Sequence, residues 1–460
     1  CCNNSSVTGS TVTPASITAN GNPTASTNSP FDDPEGFKFG EEGDQNIIKC
    51  GSYVGNGSTD GPEINLGWEP QWIMTKSAAN IDVGKPWCIN DVMRGYAAVG
   101  TSDDYSLFAN LNAAEVGFAV GEPTPTGYKL RNSDRNWNWN GATYIYIAIR
   151  RPDGYVGKPA EAGTDVFAMD TGNSSSTIPT YDSGFPVDFG LFRQPATSES
   201  WYSCRRLTGA TEMKLNSTDA EQSMSLGVFD SNTGWSTSKG SSYQSWMWKR
   251  HAGFDVVTYT GNNSYDRAIP HSLSKPPEMI ITKRRDLAYS WGVAHKGLNG
   301  GSDPWGWYMF LNSSNGNFDY DGAWSDTAPT STHFTLGEGV LGNGQNQKYI
   351  AMLFASVSGI SSVGSYSGSS SAVTLDLGFQ PRFIMIKRTN SGGTGWFVFD
   401  TLRGITAGND PYLELDESTA QINTADWVDL TSTGITLNTG VTGGHAINDN
   451  GDSYIYYAHA

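Results

Sequence analysis

Twice in the chain an aspartate and an arginine stand three residues apart shortly after a tryptophan: Asp91 and Arg94 behind Trp87, and Asp400 and Arg403 behind Trp396. A carboxylate beside a guanidinium, present in duplicate, suits a general acid/base pair or a clamp on sugar hydroxyls. Glycoside chemistry also needs a second carboxyl at fixed range, and neither copy supplies a recurrent one. At the same place, five residues into a Trp-led stretch, two further copies of the pattern hold Arg205 and His295, so the acid is absent from half of them. The pair therefore reads as an Asp–Arg contact or a turn cap at a strand end, and no catalytic residue is assigned.

Other constellations are thinner. The six histidines (His251, His271, His295, His333, His445, His459) show no HxH or HExxH spacing, which leaves a transition metal without a ligand set. No GxSxG elbow or phosphate loop is present, and the Gly-rich VLGNGQN at 340–346 sits where a loop is expected. NDNGDS at 448–453 has a calcium-loop composition without the ligand spacing, so a polar hairpin turn is expected. No cofactor is implied, and a structural calcium ion stays open. Cys1, Cys2, Cys50, Cys88 and Cys204 are scattered and odd in number, implying neither zinc nor a disulfide framework. The opening Cys1 suits a lipid-modified terminus or, more plainly, a piece of a longer polypeptide.

Tryptophans are better candidates. NWNWN at 136–140 sets Trp137 and Trp139 in a polar stretch, DPWGWY adds Trp305 and Trp307, and Trp324 follows. Aromatic faces flanked by Asn and Asp suit stacking on sugar rings and equally suit anchoring a protein subunit. These five are the candidate glycan or partner contacts. Trp246 and Trp248, inside a strand, are assigned to core or interface.

The elements that must position them are strands. Of 460 residues, 54 are Gly, 12% are aromatic and only 16% are charged, a balance that favours strands and turns over helices. The formal charge of -17 opposes nucleic acid and anionic membrane surfaces. The longest apolar runs, such as YIYIAI at 144–149, are strand-length and too short to span a bilayer as a helix. A soluble protein is expected.

The chain repeats itself about every hundred residues. SYVGNGS, MDTGNSS, TYTGNNS and SYSGSSS place Gly55, Gly172, Gly261 and Gly368 at a strand end. A proline then leads each apolar strand, EPQWIMTK, FPVDFGLFR, KPPEMIITK and QPRFIMIK, where its missing N–H does least harm. A third strand begins at Trp87, Trp201, Trp291 or Trp396, and each unit closes on a strand led by Tyr144, Tyr243, Tyr349 or Tyr454. Alternating short strands without a helical stripe predict an all-β chain of tandem antiparallel β-sandwich, jelly-roll-like domains of roughly 100 residues, arranged as beads in a row. The expected divisions are a linker or attachment arm at 1–45 and sandwiches at 46–155, 156–252, 253–357 and 358–460, the second shortened and divergent.

These units resemble modules found in tandem in tail-fibre and other structural proteins of tailed bacteriophages, especially of marine and cyanobacterial hosts. GSYVGNGS, LGWEPQWIMTK, DVMRG, LNAAE and GATYIYIAIR carry the likeness in unit one, PPEMIITKR and YIAMLFAS in unit three, and GFQPRFIMIKR, DTLRG and SYIYYAHA in unit four. The resemblance implies a non-catalytic virion structural protein, a tail fibre, spike or decoration, outside the cell on the virion surface and engaged in host attachment. Its implied partners are other copies of itself as a homotrimer, other virion proteins, and a host-surface glycan or protein, with no nucleic acid and no membrane insertion. Two alternatives stand beside it. One is a cellular extracellular filament or adhesin subunit whose N-terminal arm donates a strand; the other is a glycan-degrading tailspike.

Overall fold

The computed structural model describes residues 11–12, 15–16, 46–79, 85–98, 104–152, 160–173, 179–224, 229–250, 252–405, 408–439 and 447–460. Apart from a two-residue strand pair at Thr11–Val12 and Ala15–Ser16, the expected arm at 1–45 and the question of Cys1 lie outside the described residues. The described chain is all-β, with antiparallel pairing throughout and single 3₁₀ turns as the only helical structure. Each unit is a sandwich of one large sheet on one small sheet.

In unit three the large sheet runs Phe254–Thr260, Lys348–Phe354, Met279–Arg284, Gly292–His295, Trp307–Phe310 and Phe318–Asp319, in that spatial order. The last strand of the unit thus sits between the opening strand and the proline-led strand. Units one, two and four repeat this order, with closing strands Thr143–Arg150, Gln244–Trp248 and Ser453–His459 in the same place. Period 2 divides each closing strand between two environments. Tyr349, Ala351 and Leu353 face the small sheet, Arg267–Pro270 with His333–Leu336, whereas Ile350, Met352 and Phe354 face away from it, and all are buried. A strand apolar on both faces must be covered on both.

Local devices explain the recurrent motif letters. The tyrosine of each SYxG stacks on the tyrosine that leads the closing strand, with centroids 5.1 Å apart for Tyr53 and Tyr144, 5.5 Å for Tyr259 and Tyr349, and 4.9 Å for Tyr366 and Tyr454. The following glycine lies so close to the opposite loop that a Cβ on Gly261 would meet the Gly344 carbonyl at 2.1 Å. Beneath it a buried asparagine, Asn138, Asn343 or Asn448, plugs the loop. Asn343 accepts from Asn262 N–H at 3.0 Å and donates to the Ser264 and Gly337 carbonyls, and the other two repeat the scheme.

Covering the second face produces the main departure from expectation. Units two, three and four are not independent beads: their away-facing residues merge into one apolar cluster containing Phe189, Leu191, Ile281, Met352, Met385 and Tyr457. The three are stitched cyclically. Glu199 N–H reaches the Ser418 carbonyl and Gln421 N–H the Pro195 carbonyl, joining unit two to unit four. Tyr289 to Thr218 and Glu221 to Arg285 join three to two; Gly393 to Ser314 and Asn317 to Thr389 join four to three. The same positions are used each time, so the three sandwiches form a pseudo-threefold ring around an apolar cavity of about 40 Å³. Packed apolar surface, worth about 25 cal/mol per Å², is the main term holding such a ring.

Unit one attaches to this ring through a buried ionic knot. Glu69 accepts both Arg250 terminal nitrogens at 2.7 Å, and Asp255 accepts Arg250 Nε at 2.9 Å and Arg151 at 2.8 Å. Arg250 and Arg151 hold the Asp255 carboxyl down at about 2 against its burial.

Candidate functional site

The duplicated Asp–Arg pair is a turn cap. Asp91 ends its strand, accepts Arg94 N–H at 3.0 Å and Arg94 Nε at 2.7 Å, and opens a 3₁₀ turn that stops at Gly95 with φ 91°. Asp400 does the same for Arg403 at 2.9 and 2.7 Å, and Gly404 follows at φ 103°. Such a left-handed stop explains the glycine of DxxRG. Asp400 is fully buried and also accepts the indole N–H of Trp246 from unit two at 3.0 Å. Sequestered behind these three donors, the Asp400 carboxylate is inaccessible to a substrate. His295, at the equivalent place, accepts Gly297 N–H at Nδ1 and faces the Tyr456 carbonyl of unit four with Nε2 at 3.3 Å. Burial pushes its pKa down to about 4.

The five tryptophans do not form one platform. Trp137 and Trp324 are buried in the separate cores of units one and three, which corrects their reading as stacking faces. Their polar neighbours misled: Asn138 is itself a core plug. Trp305 is half-buried against the unit-three core and Trp307 against the shared core. Trp139 alone is exposed, with the Arg135 guanidinium 4.2 Å from its ring.

Sequence reasoning missed a row of buried cations. Arg193, Lys283 and Lys387 are inaccessible at one repeated position, each over the leading tryptophan of its own unit, at 5.1, 5.7 and 6.0 Å. Lys283 donates to the Thr218 carbonyl of unit two at 2.9 Å, and Arg193 to the Thr419 carbonyl of unit four at 2.8 Å. Burial lowers both lysines to about 8. The signal was present as the K or R that ends IITK, LFR and IMIK. Asp104 was also missed: burial raises it to about 7, while its carboxylate accepts Val120 and Gly121 N–H. NDNGDS is a hairpin turn whose Asp452 pairs with Arg388 at 3.1 Å.

Two solvent-open places among the described residues gather charged side chains. A cleft of about 410 Å³ lies between units one and three, but its charges serve one another, Lys129 with Asp60 at 2.9 Å and Arg131 with Glu122 at 2.9 Å. On unit three, exposed Tyr265 and Tyr320 lie by Asp266, Asp321 and Asp326. A hydrogen bond with Asp303 raises the Asp326 carboxyl. Aromatic edges beside carboxylates from segments about sixty residues apart cannot be read from local sequence.

A family described as a domain of unknown function (DUF7483) matches residues 10–151 and 229–460, which is most of the chain. The chain belongs to the DUF7483 family. The unmatched stretch of this DUF7483 member covers most of unit two, yet that unit has the same sheet order and completes the ring. No curated protein matches the chain, and no solved structure matches it.

Proposed function

We propose that this chain is a non-catalytic structural component of a tailed-bacteriophage particle, a fibre, spike or decoration that presents loops to a host surface. The observation that carries the reading is the fate of the side chains best suited to chemistry. Asp400, His295, Lys283 and Lys387 are all buried and engaged in holding one unit to another or a loop to its own unit. A frame that uses its titratable groups for its own cohesion leaves recognition to exposed loops, and the Tyr265–Tyr320 surface with its aspartates is the best equipped to contact polyols. Weak contacts of that kind become effective when many copies are displayed.

Immunogold electron microscopy of purified particles, with antibody raised against this chain, tests the assignment. Label on tail or surface projections is expected; particles free of label and of the chain in their protein composition would overturn it. Incubation of the purified protein with host polysaccharide is expected to release no shortened chains.

A further inference from the structure

The three ring units leave a void of about 40 Å³ on their common axis, and its wall is drawn from equivalent positions in each unit. Leu191, Ile281 and Met385 form one set, paired with Trp246, Met352 and Tyr457 of their closing strands. Leu215, Leu311 and Leu415 form another, each N–H donating to the carbonyl of its own unit's leading tryptophan. Side chains that converge from three sectors meet at their methyl groups and leave the axis between them uncovered. Interiors are otherwise close-packed, so a space of this size is a distinct feature of the junction. Every residue of the wall is at most 5% exposed, and the surface facing the void is apolar throughout. The indole N–H groups of the wall point to partners instead, Trp291 to the Lys214 carbonyl at 3.0 Å and Trp248 to the Tyr457 hydroxyl at 3.2 Å. A single water needs about 10–15 Å³ and two to four polar partners. This void has the room and lacks the partners, so it is dry.

We infer that this axial cavity is a binding site for one small apolar molecule, of the class of xenon, dioxygen or a short alkane. Size and chemistry together choose that class. Engineered apolar cavities of about 150 Å³ admit benzene as well as xenon; a void of about 40 Å³ is too small for an aromatic ring. Atoms lining a dry void lack neighbours on one side, and a guest restores those dispersion contacts without displacing ordered water. The wall is suited to this, since the thioethers of Met352 and Met385 and the rings of Trp248, Trp291 and Phe354 are polarisable. A polar guest of the same size would find its groups unpaired and is rejected. Leu191, Ile281 and Met385 come from units two, three and four, so a guest touches all three at once and is held only by the closed ring. A molecule that binds the closed form alone stabilises it by mass action.

Methyl NMR of the full chain, labelled at its methionines and recorded under rising xenon pressure, tests this. Met352 and Met385 line the cavity, whereas Met74 and Met93 belong to unit one, outside the ring. The first two signals are expected to shift along a saturating curve and the other two to drift at most linearly with pressure. The ring's melting temperature should rise with xenon over the same range. Ile281→Phe, which places a ring into the void, should abolish the saturating shifts while near-UV circular dichroism is retained. Leu311→Ala works in the other direction and serves even if the larger side chain disturbs the ring: the widened void should take benzene, which leaves the wild type unmoved. Four results would each overturn the inference: linear or absent shifts at Met352 and Met385, saturating shifts of equal size at Met74 and Met93, a bound water exchanging magnetisation with the Met352 methyl, or benzene binding the wild type as tightly as Leu311→Ala.

Discussion

Replacing Trp291 by alanine tests the shared core most directly. The side chain is fully buried, lines the axial cavity, donates to the Lys214 carbonyl of unit two at 3.0 Å and lies 5.7 Å from the Lys283 ammonium. A buried tryptophan removes about 150–250 Å² from water, so the transfer term alone is about 4–6 kcal/mol. Truncations of this kind measure about 3–5 kcal/mol, and an unpaired carbonyl adds about 1–3 kcal/mol. A loss of about 4–6 kcal/mol is a large part of the about 5–15 kcal/mol that holds a typical domain. A core shared by three units should open as one, so hydrogen exchange followed by mass spectrometry should show protection falling together in the sheets of units two, three and four. Trp201→Ala and Trp396→Ala should act in the same direction, since each indole also donates to a neighbouring unit's carbonyl. If protection were lost in unit three alone, the three units would be independent after all and the shared-core reasoning would fail.

Other expectations follow from the same contacts. Glu69→Gln strips a buried arginine of a bidentate partner and should cost about 3–5 kcal/mol, read as earlier protease cleavage between unit one and the ring while the ring's own melting point holds. Asn343→Ala leaves the Asn262 N–H and two carbonyls unpaired, and denaturant melts should show a loss of about 2–3 kcal/mol; the isosteric Asn343→Asp should fare no better, since it cannot donate to those carbonyls. Acidification should weaken the ring through His295, whose folded pKa of about 4 lies below the ordinary 6.5. The unfolded chain takes up that proton first, so stability present above pH 6.5 is lost as pH falls towards 4, by up to about 3 kcal/mol. His295→Gln should show a shallower fall in melting temperature between pH 7 and 5. Glu414, raised by burial to about 7, stabilises in the opposite sense and persists in the variant, so the comparison isolates the histidine.

The repeat was plain in the sequence because its determinants are local: a glycine under an opposing loop, a proline at a strand mouth, a tryptophan with a cation eight or nine residues before it in the ring units. The turn-cap reading of Asp91 and Asp400 also rested on local spacing, and the contacts match it. The ring was harder to see because its contacts join residues 60 to 220 positions apart and no single motif encodes them. A clue nevertheless lay in YIAMLF and SWMWK. Strands apolar on both faces need a layer beyond their own sandwich, and reading only the alternation hid that need. Polar flanks suggested exposure for Trp137 and Trp324, but an asparagine beside a buried ring can be a plug, its three hydrogen bonds satisfied within the fold. Unit two looked degenerate because its DxxRG and TYIY letters are gone; the proline, the cation and the tryptophan that build the ring remain.

The intrachain ring has a further consequence, for variation. In an assembly of identical chains every substitution is imposed on all sectors at once, so a change must suit three neighbours of one kind. Here each sector is encoded separately. Arg205, His295 and Asp400 stand at one geometric position, and the last two answer different neighbours, His295 the carbonyl of Tyr456 and Asp400 the indole of Trp246. Unit three alone carries the Tyr265–Tyr320 surface. A threefold frame written in one reading can therefore be regular in its skeleton and one-sided in its face, with one sector free to drift while the other two hold the shape.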